Sequence, residues 1–269
     1  MRKTFIDSTG YERFFGNIPQ AHDLLKRFPV YGDAPQARLI PRSEWPALIE
    51  AQGNDFESPF LPYVHDQDGV GQCNADATVA CAEYCRAVQG LPFIALSAAD
   101  LYDRINGGSD RGSLLEDAIA EMMARGVGTV ATSGTIWRRG MPKASAEERK
   151  RFQLFEVYLC PTFDHCMSSV LSGFALNSGI LWYDNYEPDG DGWLPVRRTG
   201  NYGGHSVFGY KGRMRAGKFG IAHQNSWGER WGVNGRCVFP EESYKGDVGG
   251  WFAVRLMTDE GGVIPTPQE

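Results

Sequence analysis

Three segments, far apart in the chain, hold residues able to do nucleophilic chemistry. The first ends at Cys73, behind the polar, glycine-containing loop 64–72 and at the start of Ala75–Val88, where small and apolar residues recur at three- and four-residue steps. A thiol at a helix N-terminus feels the positive end of the macrodipole, which lowers its pKa and favours the thiolate. Gln67 lies six residues earlier, and the glycines between let the backbone turn back toward the thiol. Its amide and the Cys73 N–H together suit a developing oxyanion. The plain alternative is a buried core cysteine; Cys81 and Cys85, at i and i+4 inside the same helix, read that way.

The second segment is Gly203-Gly204-His205-Ser206-Val207, a histidine entering a strand straight after two glycines and so expected to be exposed at a strand end, where a base must be. A loop histidine without a role is the alternative. The third is Gln224-Asn225-Ser226-Trp227-Gly228, followed by Trp231-Gly232-Val233-Asn234-Gly235. An Asn oxygen accepts the proton of one imidazole nitrogen and leaves the other free for a thiol. Trp227, two residues on, is able to shield that bond from water; a β-turn packed on a core would use the same residues.

The order Gln-x5-Cys, then His, then Asn-Ser-Trp-Gly resembles the papain family of cysteine peptidases, in which His and Asn follow the Cys by about 130–150 residues. Here His205 and Asn225 follow Cys73 by 132 and 152 residues (205 − 73 and 225 − 73). The similarity spans residues 40–240. It includes Ile40-Pro41-Arg42-Ser43-Glu44-Trp45, which looks like the segment that begins the mature enzyme, while the stretches 110–118 and 186–193 look more like bacterial or viral members. The resemblance implies Cys73 as nucleophile, His205 as general acid/base, Asn225 as its orienting residue and Gln67 as oxyanion donor. Trp227 would cover the His–Asn pair. Gly112 would pair with an extended substrate, a role that Gly107-Gly108 takes under a shifted alignment, and Gly203, Gly204 and Ser206 would line a roomy specificity pocket. It implies acyl transfer through a thioester, with no metal or organic cofactor.

The departures are local. The family's Cys-Gly-Ser-Cys-Trp signature reads Val70-Gly71-Gln72-Cys73-Asn74, so the usual disulfide beside the site has no partner. Asn74 replaces the aromatic and Asp76 an apolar residue; an inward-pointing Asp76 would raise the thiol pKa. Residues 1–39 read as an amino-terminal extension, shorter than the family's typical inhibitory propeptides, which counts against an ordinary zymogen. Other signals have plainer readings. Cys160-x5-Cys166 with His165 lacks zinc-site spacing, and 187–192 lacks the bidentate Glu of a calcium loop and reads as a turn. His223 suits strand packing, and Arg149-Lys150-Arg151 a solvated helix face.

The elements that must position these residues fall into two groups. An amphipathic stretch 18–28 precedes Pro35 and Pro41, which mark extended chain. Besides Ala75–Val88, helices are expected after Ser97, with Asp100 completing a capping box, over Ser113–Arg125, capped by Ser113 and stopped by Gly126, and over 164–176. Strands follow over 180–183, 206–211, 218–224, 236–239 and 251–256. Helices first and strands afterwards give an α+β, papain-like two-lobed fold. Residues 40–176 form a mainly helical lobe with the nucleophile, and 177–269 a β-barrel-like lobe with His and Asn, the cleft lying between them.

Composition fits this. The 269 residues are 42% hydrophobic and 22% charged with net charge −6, which supplies a sizeable core and no basic footprint for nucleic acid or anionic membrane. No run approaches the roughly 18 apolar residues of a membrane span, and no signal peptide is seen. A cytoplasmic or virion-associated setting with most of the six cysteines reduced is the expectation. The reading is a cysteine peptidase acting on peptide or protein substrates. Its rivals are an amidase or transpeptidase acting on cell-wall peptides, and a non-catalytic papain-like component of a phage-like particle.

Overall fold

The computed structural model describes residues 4–18, 27–196, 199–244 and 250–255. Its helices are α1 (Trp45–Gln52), α2 (Cys73–Val88), α3 (Ala98–Ile105), α4 (Leu115–Arg125), α5 (Val130–Ser133), α6 (Ala146–Lys150) and α7 (Phe163–Leu171). The strands are β1 (Thr4–Ile6), β2 (Glu12–Phe14), β3 (Val157–Leu159), β4 (Ala175–Tyr183), β5 (Tyr202–Arg215), β6 (Lys218–Gln224), β7 (Arg236–Pro240) and β8 (Trp251–Val254). The small residues of α2 let other elements approach on every side, and it is buried from Cys73 to Arg86.

Strands β3 to β8 form one antiparallel sheet in the order β3-β8-β4-β5-β6-β7. The sheet stays open, with β3 and β7 at its edges, and is not closed into the expected barrel. Two apolar cores lie against it. One gathers Trp45 and Ile49 of α1, Phe163 and Met167 of α7, and Trp182, Trp227 and Trp231. The other joins α2, α3 and α4 to Phe208 and Phe252 of the sheet.

Local signals place most elements, and tertiary pairing shifts several ends. Gly126 stops α4 with φ +70° as expected. That helix starts at Leu115 without a side-chain cap, not at Ser113, because the Ser113 N–H and C=O pair with Gly16 and Ile18 of the extension. Ser97 caps α3, its Oγ accepting from the Asp100 N–H at 3.0 Å. The reciprocal half of the capping box is missing: the Asp100 carboxylate accepts from the Gly128 N–H and pairs with Arg149 at 2.7 Å. Arg149 is thus held by a buried carboxylate and is not part of a solvated face. Helix α7 ends at Leu171, and Gly173, at φ +81°, turns the chain into β4. The hairpin of β1 and β2 has no counterpart in the sequence reading. Most of the amphipathic stretch 18–28 lies outside the described residues.

Candidate active site

Cys73 is the first residue of α2, with Gln72 as its N-cap. Gln72 ties the helix start to the 135–137 loop: its amide donates to the Thr135 carbonyl and its oxygen accepts from the Trp137 N–H, each at 2.9 Å. Asp110 Oδ1 accepts from the Gly71 N–H at 2.8 Å and from the Tyr102 hydroxyl at 2.9 Å, and that hydroxyl accepts from the Gly112 N–H. One buried polar chain thereby spaces the Cys73 loop from the Gly112 loop. Asn74, in place of the family's aromatic, donates to Ser113 and reaches Asn17.

Across from α2, β5 carries His205 beside β6 and the loop that follows it. His205 Nε2–H donates to Asn225 Oδ1 at 2.8 Å. The same oxygen also accepts from the Ser226 N–H at 2.8 Å. Trp227 stacks on the imidazole at 4.7 Å and 25°, and Trp182 meets its edge at 5.2 Å. His205 Nδ1 has no hydrogen-bond partner among the described residues. The expectation of an exposed strand-end histidine fails: β5 begins at Tyr202, so His205 lies within the strand, and it is fully buried. His223 is separate from this group, its Nε2 lying 3.0 Å from the Ser178 hydroxyl.

The burial comes from the extension. From β2 the chain runs through the cleft between the two walls. The Asn17 N–H donates to the Gly204 carbonyl at 3.0 Å, and Ser113 pairs with the strand on both sides of Asn17, in parallel. Gly112, expected to pair with the substrate, and Gly204, expected to line the specificity pocket, therefore both meet the extension. Glycine is required at this approach: a β-carbon at Gly112, where φ is +85°, would collide with the Gly16 carbonyl, and one at Gly203 with the Phe15 ring. Gln67 donates through Nε2 to the Phe14 carbonyl at 3.2 Å and to the Val70 carbonyl at 2.7 Å, while its oxygen accepts from the Ser226 hydroxyl. Arg13 clamps the segment, donating to Asp7 at 2.6 Å and to the Trp227 carbonyl at 3.0 Å. Residues 13–17 thus lie in the cleft against both walls.

Burial also sets the protonation states. It pushes the Cys73 thiol up to about 12; backbone groups of Ser206 and Gly16 pull it back in part, and Asp76 adds to the rise. Asp76 does point inward, only 2% exposed. Burial pulls His205 down to about 4, the bond to Asn225 opposes this, and the Arg13 charge reinforces it. Thiol and imidazole are both neutral with the extension in place, so the expected dipole-lowered thiol is not found in this state. Beneath them, His65 lies between Asp76 at 3.2 Å and Glu83 at 3.1 Å. Burial opposes its charge, but Glu83 and Asp76 together outweigh it and raise His65 to about 10.

Arg13, Phe15, Asn17, Tyr102, Asp110 and Trp182 escaped the sequence reading. The adjacent Phe14-Phe15-Gly16, bulky rings followed by the smallest residue, is the one signal that marked a segment built to enter a narrow cleft.

No protein-family model matches the sequence, and no curated protein matches it. Solved structures do. Xylellain, a cysteine protease from Xylella fastidiosa, matches with TM-score 0.69 at 21% identity over 95% of this chain and 98% of that one. Procathepsin L 3 from the larval midgut of Tenebrio molitor matches with TM-score 0.68 at 17% identity, covering 90% and 76%. The bromelain protease of Ananas comosus, in complex with the E64 inhibitor, matches with TM-score 0.56 at 18% identity, covering 72% and 94%. The chain has the fold of the papain-like cysteine proteases.

Proposed function

We propose that this chain is a cysteine peptidase held latent by its own residues 14–18. One observation carries the reading: the Gln67 amide donates to a backbone carbonyl in the cleft, beside a thiol at a helix start and an imidazole whose Nε2–H is committed to Asn225. That leaves the Nδ1 lone pair of His205 as the base for Cys73. With the segment displaced and water admitted, the proton passes from Cys73 Sγ to His205 Nδ1. The thiolate attacks the peptide carbonyl, and Gln67 Nε2 with the Cys73 N–H stabilises the oxyanion. The C–N bond breaks as His205 protonates the leaving amine; water, deprotonated by His205, then hydrolyses the thioester and restores the thiol. The substrate is a peptide able to take the extended path now held by residues 14–18.

The test is alkylation by iodoacetamide and hydrolysis of a fluorogenic peptide library, before and after limited proteolysis of the full chain. After cleavage, Cys73 should react far faster than the other five thiols. His205→Ala should cost about 10²–10⁴-fold in hydrolysis, the usual worth of a positioned acid/base. Equal reactivity of all six thiols and no hydrolysis would sink the reading. Turnover of a cell-wall digest but not of peptides would redirect it to the amidase class.

A further inference from the structure

Asp76, three residues after the nucleophile, stands where a carboxylate can only make the thiol harder to ionise. Its surroundings give it another use. Asp76 lines a small cavity of about 10 Å³ between α2 and the β5–β6 wall, and Gln224 and Asn225 line the same cavity. Asp76 Oδ2, Gln224 Oε1 and Asn225 Nδ2 are buried, and none of the three has a hydrogen-bond partner among the described residues. Two are acceptors and one is a donor. A volume of this order holds one water, and buried waters make about three hydrogen bonds.

We propose that one water occupies this cavity, accepts a hydrogen bond from Asn225 Nδ2 and donates its two hydrogens to Asp76 Oδ2 and Gln224 Oε1, making Asp76 a positioning residue for the Asn225–His205 pair. The role rests on the reading of His205 as base and Asn225 as its orienting residue. All remaining valences agree with it. Asp76 Oδ1 is already taken by His65 Nδ1 at 3.2 Å and Gln72 Nε2 at 3.3 Å. His65 Nε2 goes to Glu83, whose other oxygen accepts from the Leu96 N–H at 2.9 Å. Gln224 Nε2 goes to the Tyr63 carbonyl at 3.0 Å, which leaves its oxygen for the cavity. A continuous chain thus links Leu96, Glu83, His65, Asp76, the water and Asn225, with His65 donating to both carboxylates. Turning the Asn225 amide over would set its NH₂ against the Ser226 N–H and the His205 Nε2–H, and would leave the water without a donor. The chain therefore holds the tautomer that frees His205 Nδ1 for the thiol.

Two measurements on the full chain test this without catalysis. A crystal structure resolving waters should show one within hydrogen-bond distance of all three atoms; a cavity without it overturns the proposal. In chain labelled with ¹⁵N-histidine, the His205 signals should report the single Nε2–H tautomer. Asp76→Leu, which fills the cavity and removes the acceptor, should give a mixture. Asp76→Asn keeps an oxygen toward His65 and Gln72 and turns an NH₂ to the water, which still donates to Gln224, so it should keep the single tautomer. Where Asp76→Leu does not fold, the crystallographic water decides alone, and its absence from the parent chain overturns the proposal. An unmixed tautomer in the folded apolar variant overturns the proposal. After the extension is cleaved, Asp76→Leu should lower kcat about 10–100-fold at unchanged KM, the usual cost of losing an outer hydrogen-bond partner. Failure of Cys73 to react or turn over in the parent chain would refute the peptidase reading while leaving the water and tautomer results to stand or fall alone.

Discussion

Arg13→Ala should open the cleft without unfolding the protein. Arg13 is 4% exposed along its side chain and its partner Asp7 is fully buried. It also donates to the Trp227 carbonyl at 3.0 Å. The contact to Asp66 at 3.3 Å adds little, because Asp66 is half exposed and screened. Asp7 and Arg13 both belong to the extension, so their pair need not break when the cleft opens, whereas the bond to the Trp227 carbonyl does. A hydrogen bond to a charged group is worth about 1.5–3 kcal/mol. Losing it in the closed state alone raises the open-to-closed ratio about 10–100-fold, at 1.4 kcal/mol per decade. Cys73 is fully buried, so iodoacetamide reaches it only through the open state, and its alkylation rate should rise by that factor. Mass spectrometry of the alkylated peptide reads this directly. Arg42→Ala, which removes a half-exposed bridge to Asp164 and Glu241, is the control and should leave the rate alone. A rise under about threefold in folded Arg13→Ala, the worth of a surface pair, would refute the clamp.

Three more outcomes follow from the same contacts. Gly203→Ala places a β-carbon against the Phe15 ring; it should speed Cys73 alkylation, and Phe15→Ala in the same chain should restore a fit at Gly203. Trp182, fully buried against His205, Trp227, Trp231 and Phe239, should cost about 3–5 kcal/mol in urea unfolding when cut to Ala. Stability should fall on both sides of neutral pH. His205 titrates lower in the fold, near 4 against its usual 6.5, so its contribution is present above 6.5 and lost as pH falls through 4. His65 titrates higher, near 10, so its contribution is complete below 6.5 and lost as pH rises through 10. Urea midpoints from pH 3 to 11 check this; His65→Gln should remove part of the alkaline slope, the buried thiols raised above 9.0 carrying the rest, and should spare the acid limb.

The residues of the candidate site were legible because each sits beside a local punctuation mark: Cys73 at a helix start, His205 after two glycines, Asn225 before Ser-Trp-Gly. Helix α2 and the stop at Gly126 were legible for the same reason, since 3.6-residue spacing and a positive-φ glycine act within one turn. What failed depends on distant partners. Ser113 has the chemistry of an N-cap, yet its backbone is spent on Gly16 and Ile18, roughly a hundred residues away in sequence. Asp100 has the chemistry of a capping box, yet Arg149 takes its carboxylate. Thr4–Ile6 and Glu12–Phe14 are too short for period-two alternation to register, and the second carries Arg13, whose partner Trp227 is far away in sequence. His205 was read as exposed because nothing near it in sequence reveals that residues 14–17 lie on top of it.

The same covering decides how the thiol behaves. A helix N-terminus stabilises a negative charge by up to about 2 kcal/mol, little more than one decade in acidity. Burial has moved the thiol in the other direction, from 9.0 to about 12, and the dipole cannot offset that. Moving Asp76 would not suffice either, because its charge ranks below burial and below the backbone groups of Ser206 and Gly16 among the influences on Cys73. Hydration is the remaining lever, and the segment that excludes water is also the one that brings the Arg13 charge toward His205. Displacing residues 13–17 therefore acts on both partners at once: it lets water stabilise the thiolate and removes a cation that opposes the imidazolium. On the proposed reading, latency and activation are two hydration states of one cleft.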